Sequence, residues 1–122
     1  MDKVVINGKE FISIDEINKD AEPKENMPYV LVRSDRAGVF IGYLKSKEVG
    51  SQISVVLVDS RNIFYWNGAS GISQIAEEGI KDHESSKITI PVRLREINGV
   101  IEIIHISEKA KINLDKIEPW KK

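Results

Sequence analysis

Val58-Asp59-Ser60-Arg61-Asn62-Ile63-Phe64-Tyr65-Trp66-Asn67-Gly68-Ala69-Ser70-Gly71 is the stretch on which the reading of this chain turns. It begins as a strand, carries one arginine and three consecutive aromatics, and ends in an Asn/Gly/Ser turn. A short amphipathic helix follows, Ile72 to Glu78, with Ile72, Ile75, Ala76 and Gly79 near the i, i+3, i+4, i+7 spacing. A strand that feeds a glycine-bearing turn opening a helix leaves backbone N–H groups unpaired, and such a start favours anions. Arg61 lies just upstream and offers a planar, bidentate charge to a phosphate or carboxylate. Tyr65 and Trp66 offer flat faces to a base or sugar. The competing expectation is that Phe64 and Trp66 fill the core and Tyr65 caps its edge. A plain cap at Ser70, with Gly68 supplying positive φ, likewise competes with anion contact.

Outward from this stretch, the chain reads as consecutive strands. Asn7-Gly8 sits between Lys3–Ile6 and Lys9–Ile14, a strong hairpin signal because both turn positions want positive φ. Residues 15–27 lose the pattern and read as an exposed loop, with a short helical turn at Asp15 to Asn18. Tyr29–Arg33, Val39–Lys45 and Ile53–Val58 are strands, and Arg61–Tyr65 continues extended. Gly42 inside the second of these suggests a bulge or a close backbone approach. Ser46–Ser51 reads as a polar loop, and Lys81–Ser86 as a second exposed one. Ile88 and Ile90 precede Pro91, which marks an edge or terminated strand. Asn98-Gly99 is another turn before Val100–Ile106, the most apolar strand. Ser107 reads as the N-cap of a helix containing Ala110, Leu114 and Ile117, closed by Pro119 and Trp120. The connections are too short for helical crossovers, so the strands form an antiparallel meander.

The expected fold is α+β: an antiparallel sheet of about six or seven strands with one or two short helices. The 122 residues suit a single domain over 1–122, made of an N-terminal hairpin (1–14), the exposed loop (15–27) and a core (28–120). The chain contains no cysteine, which fits a reducing compartment and excludes thiolate metal sites, thiol nucleophiles and disulfides. No signal-peptide pattern opens the sequence and no apolar run is long enough for a membrane span, so the expected location is the cytoplasm. A net charge of −1 argues against general nucleic-acid binding.

No catalytic constellation stands out. The two histidines, His83 and His105, lack the helical spacing of zinc enzymes, and no serine lies in a nucleophile elbow. The expectation is therefore no enzyme, no metal and no cofactor. The arginines carry the remaining chemistry. Arg33 and Arg36 flank the first turn, and Arg93 and Arg95 share a face if their strand persists past Pro91, where a same-face pair suits a polyanion. Solvated strand arginines with weak ion pairs are the plainer alternative.

Arg33-Ser34 with Ala37-Gly38-Val39-Phe40-Ile41-Gly42, Ser60-Arg61, Tyr65-Trp66-Asn67-Gly68-Ala69, Ile101-Glu102-Ile103-Ile104 and Ser107-Glu108-Lys109-Ala110 together resemble a small phage and prophage family known as a domain of unknown function. The resemblance covers roughly residues 29 to 120. More weakly, the chain is similar to phage anti-Thoeris proteins that sequester cyclic ADP-ribose-type signals. That resemblance implies a small, non-enzymatic, homo-oligomeric protein in the host cytoplasm, binding a phosphorylated or cyclic nucleotide. The ligand-binding candidates are Arg61, Tyr65, Trp66, Asn67, Gly68, Ser70, Arg33, Arg36, Arg93 and Arg95. The alternative is a protein-interaction module that buries its aromatics on a partner without any small ligand.

Overall fold

The computed structural model describes residues 3–6, 9–12 and 19–120. At the start, β1 (Lys3–Ile6) and β2 (Lys9–Ile12) pair antiparallel, Lys3 opposite Ile12 and Ile6 opposite Lys9. That is the expected hairpin register. The Asn7-Gly8 turn itself, the extension to Ile14 and the helical turn at Asp15 to Asn18 lie outside the described residues.

The body is organised on three consecutive antiparallel strands: β3 (Tyr29–Ser34), β4 (Gly38–Val49) and β5 (Ile53–Asn67). β4 runs past the expected end at Lys45, because Ser46 to Val49 pair with Val56 to Ile53. A backbone ladder can extend through polar residues when their side chains project into water, as they do here. β5 joins the two segments expected from the sequence into fifteen residues. Their joint is Asp59, held at φ 51°, where the ladder to β4 slips. Gly42 faces this slip. A Cβ on Gly42 would lie 2.8 Å from the Ser60 Cβ and 2.9 Å from its Cα, so the close approach expected there is real.

The remaining strands depart from a simple meander. β6 (Asp82–Ile88) and β7 (Val92–Ile97) both pair with β5, β7 with its first half and β6 with its second. β8 (Val100–His105) returns to pair with β3, giving the order β6-β5-β4-β3-β8 with β7 beside β5. Only Asn98-Gly99, with Gly99 at φ 68°, separates β7 from β8 although they lie on opposite edges of the sheet. The sheet therefore curls until those edges meet. Val30, Val32, Phe40, Val55, Leu57, Ile97 and Val100 fill the inside of the curl.

Two helices cover the other face, α1 (Ile72–Glu78) and α2 (Glu108–Asp115), sealing a second core that includes Leu31, Ile41, Ile63, Ile75, Ile106 and Leu114. β3 is buried on both sides, Tyr29 and Leu31 toward the helices, Val30 and Val32 toward the curl. Its unbroken apolar run is the sequence signature of that position. Ser107 is the cap it was read as: its Oγ accepts from the Ala110 N–H at 3.0 Å and donates to the Glu77 carbonyl at 2.7 Å. One side chain thus starts α2 and ties it to the end of α1.

Lys81 to Ser86 is not an exposed loop; most of it is β6. Its polar side chains supply the ties that an apolar alternation would otherwise signal. Ser86 Oγ accepts from the Asn67 N–H at 3.1 Å and donates to the Asp82 carbonyl at 2.7 Å. The result is an α+β fold, and among the described residues no helix is long and apolar enough to cross a membrane.

Candidate functional site

The second half of β5 sets its side chains out irregularly. Strict alternation would place Phe64 and Trp66 on one face and Tyr65 on the other. The pairing with β6 slips between Ile63 and Tyr65 and again between Tyr65 and Asn67, so the alternation fails. Ile63 is buried and Trp66 packs on the helix-side core, whereas Phe64 is 58% exposed and Tyr65 51%. The core-filling expectation holds for Trp66 and fails for Phe64.

Phe64 packs instead on Trp120. Their ring centroids are 5.5 Å apart at 30°, an offset stack. The Trp120 N–H donates to the Ile88 carbonyl at 2.8 Å, which fixes the C-terminal segment at the end of β6. Lys87 lays its ammonium 5.0 Å from the Trp120 centroid and 5.8 Å from that of Phe64. Phe64, Lys87 and Trp120 form an aromatic-cationic face shared by two strands and the C-terminal segment, with Trp120 39% exposed. Lys87 is not singled out by the sequence, and Trp120 is noted there only at the close of the C-terminal helix, because nothing local links positions 64, 87 and 120.

The phosphate-binding arrangement expected around Arg61 is built differently. Arg61 is 8% exposed. Its Nε donates to the Thr89 carbonyl at 2.8 Å, and its terminal nitrogens donate to the Leu114 and Ile117 carbonyls at 3.3 and 2.9 Å. Two of those carbonyls lie at the end of α2, where orphan acceptors and the negative dipole end welcome a cation. Burial pushes the Arg61 guanidinium below its ordinary pKa, but the group stays charged. Arg61 is a clamp between sheet and helix. Its expected partner, an external anion, has its place taken by backbone carbonyls.

The turn that follows is likewise closed on itself. Gly68 does adopt positive φ, 86°, and its N–H donates to Asn67 Oδ1 at 3.0 Å. Asn67 Nδ2 reaches Asp82 at 3.3 Å. The N-cap of α1 is Gly71, not Ser70, and it makes no side-chain cap bond. The Ser70 N–H and hydroxyl both donate to Gln74 Oε1, at 2.7 and 2.8 Å. Gln74, in the first turn, reaches back and takes both Ser70 donors.

The other arginines are dispersed. Arg33 Nε pairs with Glu102 on β8 at 3.1 Å, an exposed contact of small energetic weight. Arg95 donates to the Ser60 hydroxyl at 2.8 Å and lies 4.8 Å over the Phe40 ring, inside the curl and so on the sheet face opposite to Arg61. Burial lowers its pKa as well. Arg93 is exposed on β7, and Arg36 sits at the exposed tip of the turn joining β3 to β4. The strand does persist past Pro91, so Arg93 and Arg95 stand two residues apart on β7 as expected, but Arg33, Arg36 and Arg61 lie elsewhere and the five do not form one anion site.

His83 Nε2 lies 3.1 Å from Asn113 Oδ1, and the exposed His105 lies 3.7 Å from Asp20. Among the described residues, no group of three or more His, Asp or Glu is placed to hold a metal ion.

No curated protein and no solved structure matches the chain. Residues 27–114 match a family model described as a domain of unknown function, DUF6948. The match takes in β3 to α2, the whole curled sheet and both helices, and the chain therefore belongs to the DUF6948 family.

Proposed function

We propose that this chain is a non-enzymatic protein-interaction module whose aromatic-cationic face docks on a protein partner. One observation carries the proposal: Phe64, more than half exposed, and Trp120, 39% exposed, stack on each other at the surface and are capped by Lys87. Two large rings held exposed in a fixed arrangement have the character of interface anchors, and their burial by a partner supplies binding energy without a preformed pocket. Because the rings already cover one another, they suit an irregular protein surface better than an intercalating base. The resemblance to phage and prophage proteins supports a bacterial host protein as the partner, and a second copy of the chain is the homo-oligomeric case of the same docking.

A second reading keeps the small phosphorylated or cyclic nucleotide, sequestered as an anti-defence signal. Its specific support is Tyr65, half exposed beside the Asn67-Gly68 turn. The commitments of Arg61, Gly68 and Ser70 to internal partners weigh against it. Thermal melting against linear and cyclic nucleotides, including cyclic ADP-ribose isomers, separates the two. A ligand present at a hundredfold its dissociation constant stabilises by about 2.7 kcal/mol. The docking reading predicts a flat panel, with sedimentation or affinity capture that depends on Phe64 and Trp120. A nucleotide shift lost in Tyr65→Ala, with capture unaffected by Trp120→Ala, would overturn it.

A further inference from the structure

Away from the aromatic face, the segment 21–24 and α2 border an open cleft of about 370 Å³ with the Tyr43 ring in its wall. That volume is in the range of small-ligand sites. The Tyr43 ring is braced edge-on by Tyr29, with centroids 4.9 Å apart. Lys24 and Lys111 each hold an ammonium 5.8 Å from the Tyr43 centroid. Both are anchored, Lys24 to Asp59 at 2.9 Å and Lys111 to Asp115 at 2.6 Å. An ammonium has three donors and each of these ion pairs engages one, so both lysines can donate to a further oxygen. Glu22, Glu108 and Asp115 supply carboxylates to the same lining, and Glu108 lies 3.7 Å from Lys19.

The backbone beside this cleft is tightly turned. Among the described residues, three non-glycines have left-handed φ: Glu25 at 50°, Asn26 at 66° and Asp59 at 51°. Two follow Lys24 directly, and the third is its ion-pair partner. Glu25 and Asn26 are the central pair of a two-residue turn between the bridged Lys24 and Met27, a turn that calls for positive φ at both, and it fixes the backbone that carries Lys24.

The charge pattern selects the ligand class. An anion alone would meet Glu22, Glu108 and Asp115, and a cation alone would meet Lys24 and Lys111. A molecule carrying both signs satisfies both sets and leaves its apolar part for Tyr43 and Pro23. We propose that this cleft binds a small zwitterion of amino-acid or dipeptide size, its carboxylate on Lys24 and Lys111, its ammonium on Glu108 and Asp115.

The test is a titration of the full chain, followed by NMR, with L-leucine, L-phenylalanine and Gly-Phe. The same compounds are then used with the amine acetylated or the carboxylate methylated. The expected result is saturable shifts confined to residues around Tyr43, with each capped form binding about tenfold or more weakly, equivalent to about 1.4 kcal/mol per charge removed. Lys24→Ala, at an exposed position, should weaken the free compounds similarly while leaving the melting temperature unchanged. Capped forms that bind as tightly as the free ones would overturn the proposal. So would the absence of saturable shifts for every free compound up to about 10 mM, a concentration weaker than any site of ordinary affinity.

Discussion

Arg61 shows how one side chain can look like a ligand contact and serve as a brace. Its three observed bonds go to carbonyls, two of them at the end of α2, so removing it strands acceptors as well as a charge. Arg61→Ala should cost about 2–4 kcal/mol in urea unfolding, a loss independent of any added ligand. Arg61→Lys should recover only part of it, since an ammonium lacks the planar fork. Tyr29 makes a second prediction. Burial holds its hydroxyl above the ordinary value of 10.0. Below pH 10 the phenol is neutral in both folded and unfolded chains and contributes no pH dependence. Above that, the unfolded chain loses the proton while the folded chain keeps it, so stability should fall as pH rises. For Lys111, burial opposes the charge, but the Asp115 carboxylate outweighs it and raises the pKa above 10.5. That shift adds a loss of the same sign at still higher pH. Tyr29→Phe should therefore flatten the alkaline limb of a stability–pH curve measured by denaturant unfolding. An arginine was legible in the sequence at position 61; its partners at 89, 114 and 117 were not, because backbone carbonyls leave no residue-type signal.

At the scale of elements, local chemistry was readable wherever the signal was itself local. The α1 span and the Ser107 cap follow from spacing and capping residues within a few positions. β6 is not legible because its ties are hydrogen bonds from Ser85 and Ser86 to Asp82, residue types that mark loops as often as edge strands. The emergence of Phe64 from the core was hidden for a similar reason, since two register slips with β6 cannot be read from β5 alone. Ser107→Ala tests the element scale. It removes an N-cap and the link to the Glu77 carbonyl together, and should lower the unfolding free energy by about 1–2 kcal/mol. Amide exchange should rise at Ala110 and Lys111, in the first turns of α2, more than in β3.

At the scale of the whole molecule, the antiparallel α+β class was evident from the strand spacing. The curl was not, since it follows from β8 crossing to β3 while a two-residue turn joins it to β7. The same long-range closure scatters the arginines to opposite faces and gathers Phe64, Lys87 and Trp120 onto one. The functional account rests on that gathering. Its most direct test is a photo-crosslinking residue placed at Tyr65, half exposed next to Phe64, in the full chain expressed in a bacterial host. One dominant protein adduct is expected, reduced about tenfold or more by Trp120→Ala in a variant that melts normally. No protein adduct at that position, or an adduct indifferent to both Trp120→Ala and Phe64→Ala, would contradict it.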